Sequence, residues 1–317
     1  MSRVAVLKGG RSLERQVSLR SGARVHEALE RLGHQVVAID VGSDIVQRLQ
    51  AERPEIAFVA LHGRDGEDGT VQELLEVMGI SYTGSGVSAC IRAADKVLAK
   101  HAMRDHGIPT PDFYAFNETA FGSLGAAQAL PAIEQRLDFP IVVKPASQGS
   151  ALGIKFARTP SDVPAALIAA FSYDRKVLLE RYVHGRELAI SILETDGEAV
   201  ALPIVEALPE QEDFYDFESR YEIGRTSFVC PAELGGSLAG RAGEIALDTY
   251  GLLGCSGFAR VDLMLAHESD ELFVLETNTI PGLTETSLLP QAADAAGIGF
   301  DQLIERILAA AQATART

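Results

Sequence analysis

The segment GFARVDLMLAHESDELFVLETN, residues 257–278, brings four polar residues together by spacing alone. Two apolar runs flank the polar turn His267–Asp270, which is the pattern of a β-hairpin. A turn centred on Ser269 pairs Asp262 with Glu276 and Arg260 with Asn278. Side chains alternate along strands, so these four share one surface. Ala259, Val261, Leu263, Leu265, Phe273, Leu275 and Thr277 take the other. Two carboxylates and an amide carbonyl are hard oxygen ligands, suited to Mg²⁺ completed by phosphate oxygens. A cation between Asp262 and Glu276 would relieve the repulsion of like charges placed directly opposite. A solvated hairpin face with scattered charge is the plainer alternative.

Other segments carry complementary chemistry. In FPIVVKPASQGSALG, Lys144 ends a strand and small residues follow in a tight turn. Gly149, Ser150 and Gly153 let backbone N–H groups approach phosphate, and Lys144 supplies a point charge. An ordinary strand-to-helix loop would read the same way. Lys96 lies on the preceding helix, where a lysine can equally be solvated. VLLERYVHGRELAISIL puts Glu180 at the exit of one strand and Glu187 at the entry of another. Such a connector can offer backbone groups to an adenine and carboxylates to an amine or to ribose hydroxyls. In SLERQVSLRSG, Glu14 and Ser18 flank the first turn of a helix, whose N–H groups favour anions. Glu14 either serves that helix as a capping charge or binds a substrate ammonium. In GLTETSLLP, Gly282 permits an exposed N–H, and Ser287 with Leu288 opens a helix able to grip a carboxylate.

Composition narrows the class of protein that holds these groups. The 317 residues are 47% hydrophobic and 23% charged, as in a soluble globular protein of two or three domains. No run reaches the roughly 18 apolar residues of a membrane span. The start, MSRVAVLKGG, enters a short strand without a signal peptide's apolar stretch, so the cytoplasm is the expected location. Cys90, Cys230 and Cys255 are scattered thiols without a disulfide or zinc pattern. A net charge of −16 argues against bulk nucleic-acid binding. It also means that any phosphate site must be a local concentration of Lys, Arg and backbone N–H groups.

Strands and helices alternate over the first hundred residues. Strands are predicted at Val4–Leu7, Gln35–Val41 and Ile56–Leu61, with helices at Val17–Leu32, Ile45–Ala51 and Thr70–Met78. This alternation implies a parallel sheet, whose ligands bind beyond the carboxyl ends of its strands. A long helix is predicted over Ser88–His106. A second unit follows, with strands at Phe139–Val143 and Val177–Arg181 around a helix near Val163–Phe171. From Glu187 the pattern is strand-rich, with one helix at Leu238–Leu252 and another near the Ala-rich end. Ala207–Arg225 reads as a long polar and aromatic loop, a length typical of a functional lid or of disorder.

Taken together, the motifs resemble those of an ATP-grasp ligase, and more narrowly a D-alanine–D-alanine ligase. The matching segments are GGRSLERQVSLRSG, LHGRDGEDGTVQ, YTGSG, KPASQGSALG, LLERYVHGRE, FYDFESRY, GFARVDLML and LETNTIPGLTETSLLP. They run in the family's order over nearly the whole chain. The resemblance implies an α/β (α+β) chain with the three-domain ATP-grasp fold and an N-terminal Rossmann-like parallel sheet. The expected divisions are 1–96, 97–184 and 185–317, with ATP between the last two.

The resemblance also implies residue roles. Lys96, Lys144, Glu180, Tyr182, Val183, Glu187 and Arg220 would hold ATP. Asp262, Glu276 and Asn278 would ligate two Mg²⁺, with Mn²⁺ as a substitute. Glu14 and His62 would bind the first D-alanine, and Glu14, Ser150 and Tyr221 would form a hydrogen-bonded group. Arg260 and the Gly282 N–H would form an oxyanion hole. Ser287 and Leu288 would receive the second substrate's carboxylate. A homodimer is expected, with no membrane or nucleic-acid partner. Arg220 stands where the family usually has lysine, which keeps the charge but alters donor geometry. Gln16 replaces the usual acidic residue two positions after Glu14.

Other readings separate on single features. A relative joining D-alanine to D-lactate would tend to have histidine at 221. A nucleotide sensor without turnover would not need Arg260, Asp262, Glu276 and Asn278 together. A Rossmann dehydrogenase would carry GxGxxG, which the chain lacks. The first of these yields a prediction. A phenol at 221 stays neutral across the working range, whereas a protonated imidazole would disfavour the ammonium zwitterion of D-alanine and leave D-lactate unaffected. Tyr221→His should therefore shift the product toward D-alanyl-D-lactate, mostly at acidic pH. The measurement is a competition between equal D-alanine and D-lactate over about pH 6 to 9, spanning the imidazole titration. A product ratio that ignores the substitution at every pH removes Tyr221 from specificity.

Overall fold

The apolar runs VAVL and IAFV near the start of the chain form adjacent strands with both faces covered. The computed structural model describes residues 1–209 and 226–314. β1 (Arg3–Lys8), β2 (Gln35–Asp40), β3 (Ile56–Val59) and β4 (Ser81–Tyr82) lie parallel in the order β2-β1-β3-β4. α1 (Arg15–Arg31), α2 (Ile45–Glu52) and α3 (Thr70–Met78) make the crossovers, as parallel pairing demands. Val4 to Leu7 and Ile56 to Val59 are all buried, the mark of a sheet packed on both sides.

The single helix predicted over Ser88–His106 is two, α4 (Val87–Ala94) and α5 (Lys96–Asp105). Asp95 breaks the run because its backbone turns extended. Its carboxylate accepts from the N–H groups of Val97 and Leu98, at 2.9 and 3.2 Å, and so caps α5. Lys176 also donates to it. The periodicity runs through the break because Asp95 is one polar residue among apolar ones.

A second sheet is antiparallel. β5 (Phe113–Asn117), β6 (Ile141–Pro145), β7 (Lys155–Ala157) and β8 (Lys176–Arg181) adopt the order β5-β8-β6-β7. β5 has no counterpart among the predicted strands, and β6 begins two residues later than predicted. The helix Val163–Phe171 has the predicted bounds. A third sheet holds β9 (Gly185–Thr195), β10 (Glu198–Ala201), β11 (Val205–Pro209), β12 (Thr226–Val229), β13 (Phe258–Ala266) and β14 (Leu272–Asn278). Its order is β12-β11-β9-β13-β14, with β10 also on β9. The expected loop Ala207–Arg225 thus begins later, because Ala207 pairs with Glu187 of β9. Residues 210–225 lie outside the described residues.

The hairpin pairs Arg260 with Asn278 and Asp262 with Glu276, as the alternation predicts. The register then shifts, and Leu263 faces Val274. Leu275 is therefore an extra residue, a β-bulge. Leu272 and Val274, rather than Phe273 and Leu275, join Ala259, Val261, Leu263 and Leu265 in one buried cluster. Phe273 and Leu275 are partly exposed, which corrects the strict alternation expected of β14.

The buried cluster around the first sheet also takes in Ile280, Leu283, Leu288 and Leu289, and Leu303, Ile304, Ile307 and Leu308 of the last helix, Phe300–Thr314. The end of the chain thus completes the core of its beginning, and Arg31 pairs with Asp301 at 2.7 Å. Asp95→Ala should cost about 1 kcal/mol, the usual cost of losing a helix N-cap. Denaturant melts measure it, and an unchanged midpoint would mean that Asp95 is not what starts α5.

Candidate active site

Two lysines and one glutamate meet between α5 and the second sheet. Lys144 of β6 donates to Glu180 Oε1 of β8 at 2.7 Å. Lys100 of α5 lies 2.6 Å from the other oxygen, Oε2. Lys100 is fully buried and also donates to Thr110, whose hydroxyl donates to the Val274 carbonyl of β14 at 2.8 Å. Burial pushes the Lys100 ammonium down to about 8, against the opposing pull of Glu180. Burial alone would raise the Glu180 carboxyl, but the charges of Lys100 and Lys144 outweigh it and hold it low. One turn earlier, Lys96 donates to the Gln148 carbonyl at 2.7 Å and pairs with Glu276 at 3.0 Å. Its backbone N–H donates to the Ala146 carbonyl. The start of α5 is thereby fixed to the Gly-rich turn.

That turn is tight. Ser150, Ala151 and Gly153 have φ of 52°, 59° and 76°, all left-handed. A Cβ on Gly153 would come within 2.8 Å of Pro145 Cγ, so only glycine fits there. Ser150 Oγ donates to Glu14 Oε1, joining the turn to the start of α1. Glu14 is buried, and burial followed by the charge of Glu67 raises its carboxyl. Gly149 packs closely against it, since an added Cβ would lie 3.2 Å from Oε2. His62, also buried, meets Ser21 Oγ through Nε2 at 2.9 Å and the Ile280 carbonyl through Nδ1 at 3.0 Å.

On the hairpin face, Arg260 grips both oxygens of Asp262, at 2.6 and 2.7 Å. Asn278 donates to Asp262 at 3.1 Å. The paired carboxylates thus each face a cation of the chain, Arg260 for Asp262 and Lys96 for Glu276. Among the described residues no three His, Cys, Asp or Glu side chains converge. A metal here would draw on Asn278 and on ligand oxygens as well. The donor set is all hard oxygen and fits Mg²⁺. A cleft of about 620 Å³ is lined by Lys96, Gly149, Glu276 and Asn278, with Gly63 and Glu67 on its other wall.

The remaining predicted residues fall around this centre. Tyr182 and Val183 follow β8, and the Tyr182 ring packs edge-on against Phe156 at 5.8 Å. Glu187 is half-buried on β9, in a different sheet from Glu180. Gly282 lies against Ser287, since a Cβ there would sit 2.5 Å from Ser287 Oγ. Ser287 Oγ accepts from the Thr284 N–H at 3.0 Å, and Leu288 opens the helix Leu288–Ala295. Arg220 and Tyr221 lie outside the described residues, so the expected Glu14–Ser150–Tyr221 group is described for its first two members.

Four contributors have no role in the motif reading: Lys100, Thr110, Ser21 and Glu67. Lys100 follows Lys96 by one turn, so the two share a helix face. That spacing is the signal that could have found it. Ser21 lies one turn beyond Ser18 on α1 by the same rule. Glu67 lies in the matching segment LHGRDGEDGTVQ but has no role assigned there, and Thr110 carries no signal beyond residue type.

Known proteins resemble this chain along its length. A sequence model described as D-ala D-ala ligase C-terminus matches residues 102–309, and one described as D-ala D-ala ligase N-terminus matches residues 42–85. The D-alanine–D-alanine ligase of Syntrophotalea carbinolica is 45% identical over 98% of this chain and 96% of its own length. That of Geotalea uraniireducens is 44% identical over 98% and 95%. The crystal structure of D-alanine–D-alanine ligase from Bacillus anthracis superposes with a TM-score of 0.85 at 33% identity, covering 100% of this chain and 99% of that one. The same enzyme complexed with ATP gives 0.82. Whole-length identity at this level, on a shared fold, leads to one conclusion: the chain belongs to the D-alanine–D-alanine ligase family.

Proposed function

We propose that the chain joins two D-alanines into D-alanyl-D-alanine, consuming ATP and releasing ADP and phosphate, as a step in peptidoglycan precursor synthesis. The observation that carries this reading is the meeting, in one cleft, of Lys96 and the Gly-rich turn with the carboxylate face of the hairpin. A site that activates a carboxylate with a nucleotide needs that combination of cations, backbone donors and hard oxygen ligands. The spans 1–96, 97–184 and 185–317 serve as its three domains, which is supported by each span's holding one sheet. The protein acts in the cytoplasm as a homodimer. No described helix is long and apolar enough to cross a membrane.

The residues act in two stages. Lys96 and Lys144 neutralise the nucleotide's phosphates, while Tyr182, Val183, Glu180 and Glu187 border the base and ribose. Arg220 adds charge near the phosphates. Asp262, Glu276 and Asn278 would hold two Mg²⁺ (or Mn²⁺), which when bound offset phosphate charge during transfer. Glu14, tied to Ser150, receives the ammonium of the first D-alanine, and His62 borders it. The carboxylate of that D-alanine attacks the γ-phosphate, giving an acyl phosphate and ADP. The amine of the second D-alanine, its carboxylate on Ser287 and Leu288, attacks the acyl carbon. Arg260 and the Gly282 N–H stabilise the oxyanion before phosphate leaves. One such donor typically contributes about a hundredfold or more in rate.

Lys100 and Lys144 share one carboxylate, so the cluster carries a surplus positive charge that a bound polyphosphate compensates. Lys100 loses its proton near pH 8 in the folded chain, against an ordinary 10.5. Between those values the unfolded chain binds more protons, so stability rises with pH. Wild type should therefore gain stability relative to Lys100→Met as pH rises through that window. Parallel stability curves for the two proteins would show that the Lys100 proton is not linked to folding.

Purified protein with ATP, Mg²⁺ and D-alanine should form one ADP and one phosphate per dipeptide, read by mass spectrometry and phosphate release. L-alanine should be a poor substrate. AMP and pyrophosphate in place of ADP would mean an adenylate route and would overturn the mechanism.

A further inference from the structure

One face of α1 carries more than Glu14. Ser18, Ser21 and Arg24 follow each other at three-residue spacing and so line one side of the helix. Ser18 is absorbed into the first sheet, accepting from the Gly9 N–H at 2.8 Å and donating to the Ala60 carbonyl at 2.7 Å. Ser21 and Arg24 turn instead to the loop after β14. The Leu283 N–H donates to Ser21 Oγ at 3.1 Å, and Arg24 Nη1 donates to the Leu283 carbonyl at 2.7 Å. Both polar groups of that residue are therefore held by the same helix. Leu283 follows Gly282, the backbone donor assigned to the oxyanion.

The Ser21 hydroxyl also touches His62 Nε2 at 2.9 Å. Ser21 is fully buried, so its single hydrogen is committed within the protein. The Ile280 carbonyl, 3.0 Å from Nδ1, can only accept, so Nδ1 carries the ring hydrogen, and Nε2 of the neutral ring accepts from the Ser21 hydroxyl. Glu67, 3.8 Å from Nδ1, is the charged group beside it. The chain from Ile280 to Leu283 is thus clamped at both ends, by His62 and by α1, with Gly282 between.

We propose that Ser21 is a positioning residue that couples the pocket of the first D-alanine, bordered by His62 and Glu14, to the Gly282–Leu288 loop that receives the second. The inference rests on the functional reading above for the identity of the two substrates. Ser21 touches neither of them. It fixes the His62 ring and the Leu283 peptide against one oxygen, so a shift of either is felt by the other.

The test uses the full chain with Ser21→Ala and Ser21→Cys, the latter matching the volume of serine with a much weaker hydrogen-bonding group. Nitrogen-15 NMR of the imidazoles, with His62 assigned through His62→Gln, should show the Nδ1–H form in wild type and a loss of that preference in both variants. Steady-state kinetics should show the KM for both D-alanines raised about threefold to tenfold, the effect of one net hydrogen bond, alongside the change in the His62 ring. A rise confined to one KM, or wild-type kinetics in Ser21→Cys, would show that Ser21 does not couple the two pockets and would overturn the proposal. A wild type that forms no dipeptide would instead sink the functional reading. The tautomer signal would then decide the clamp by itself, and an unchanged His62 ring in Ser21→Ala would refute it.

Discussion

Burying carboxylates is the constraint around which this molecule is arranged. Glu14, Glu180 and Asp262 are each exposed by 6% or less. An ionised carboxylate in such surroundings is costly unless paired and hydrogen-bonded. Asp262 has a bidentate arginine, and Glu180 has two lysines. Glu14 differs. It accepts from the neutral hydroxyl of Ser150, while burial and then the charge of Glu67 raise its carboxyl. The structure supplies cations where they hold the fold together. In the proposed function, the ammonium of the first D-alanine would supply the compensating charge at Glu14.

The same accounting explains where the sequence was readable. Alternation in Arg260, Asp262, Glu276 and Asn278 is a local property of two strands, and the pairing it predicts is the pairing found. The bulge at Leu275 is not local. Leu275 is apolar like its neighbours, and nothing in the alternation marks it as the surplus residue. What decides is the buried cluster beneath, which accepts Leu272 and Val274 alongside Val261 and Leu263. Asp95 is a similar case, since its capping role depends on a backbone turn that residue periodicity does not encode. Three of the four first-sheet strands and Val163–Phe171 were legible because their apolar runs are bounded by turn residues, whereas the two-residue β4 was not.

Long-range partners were the least legible. Lys100 reads from sequence as one more helical lysine, and only the approach of β8 converts it into a buried ion-pair member. Thr110 and Ser21 each join segments far apart in the chain, 164 and 262 residues in the two bonds concerned. Periodicity windows cannot see across such distances. Residue type and family resemblance nominated the groups near ligands, whereas the groups that hold them in place emerge from the fold.

That division has a physical origin in how the chain closes. The loop carrying Gly282 and Ser287 follows the third sheet in sequence, yet Ile280, Leu283 and Leu288 belong to the core of the first. Its position is therefore set by the packing of α1 and β3, the elements that also present Glu14 and His62. In the proposed function the two D-alanines would be served by segments packed on one core, while Lys96 of α5 and Lys144 of β6 would meet the nucleotide. The contact of Ser150 with Glu14 is one of the links between those two parts of the molecule. In the proposed function, bringing a nucleotide and two amino acids to one place would rest on that contact as well as on the cores either side of it.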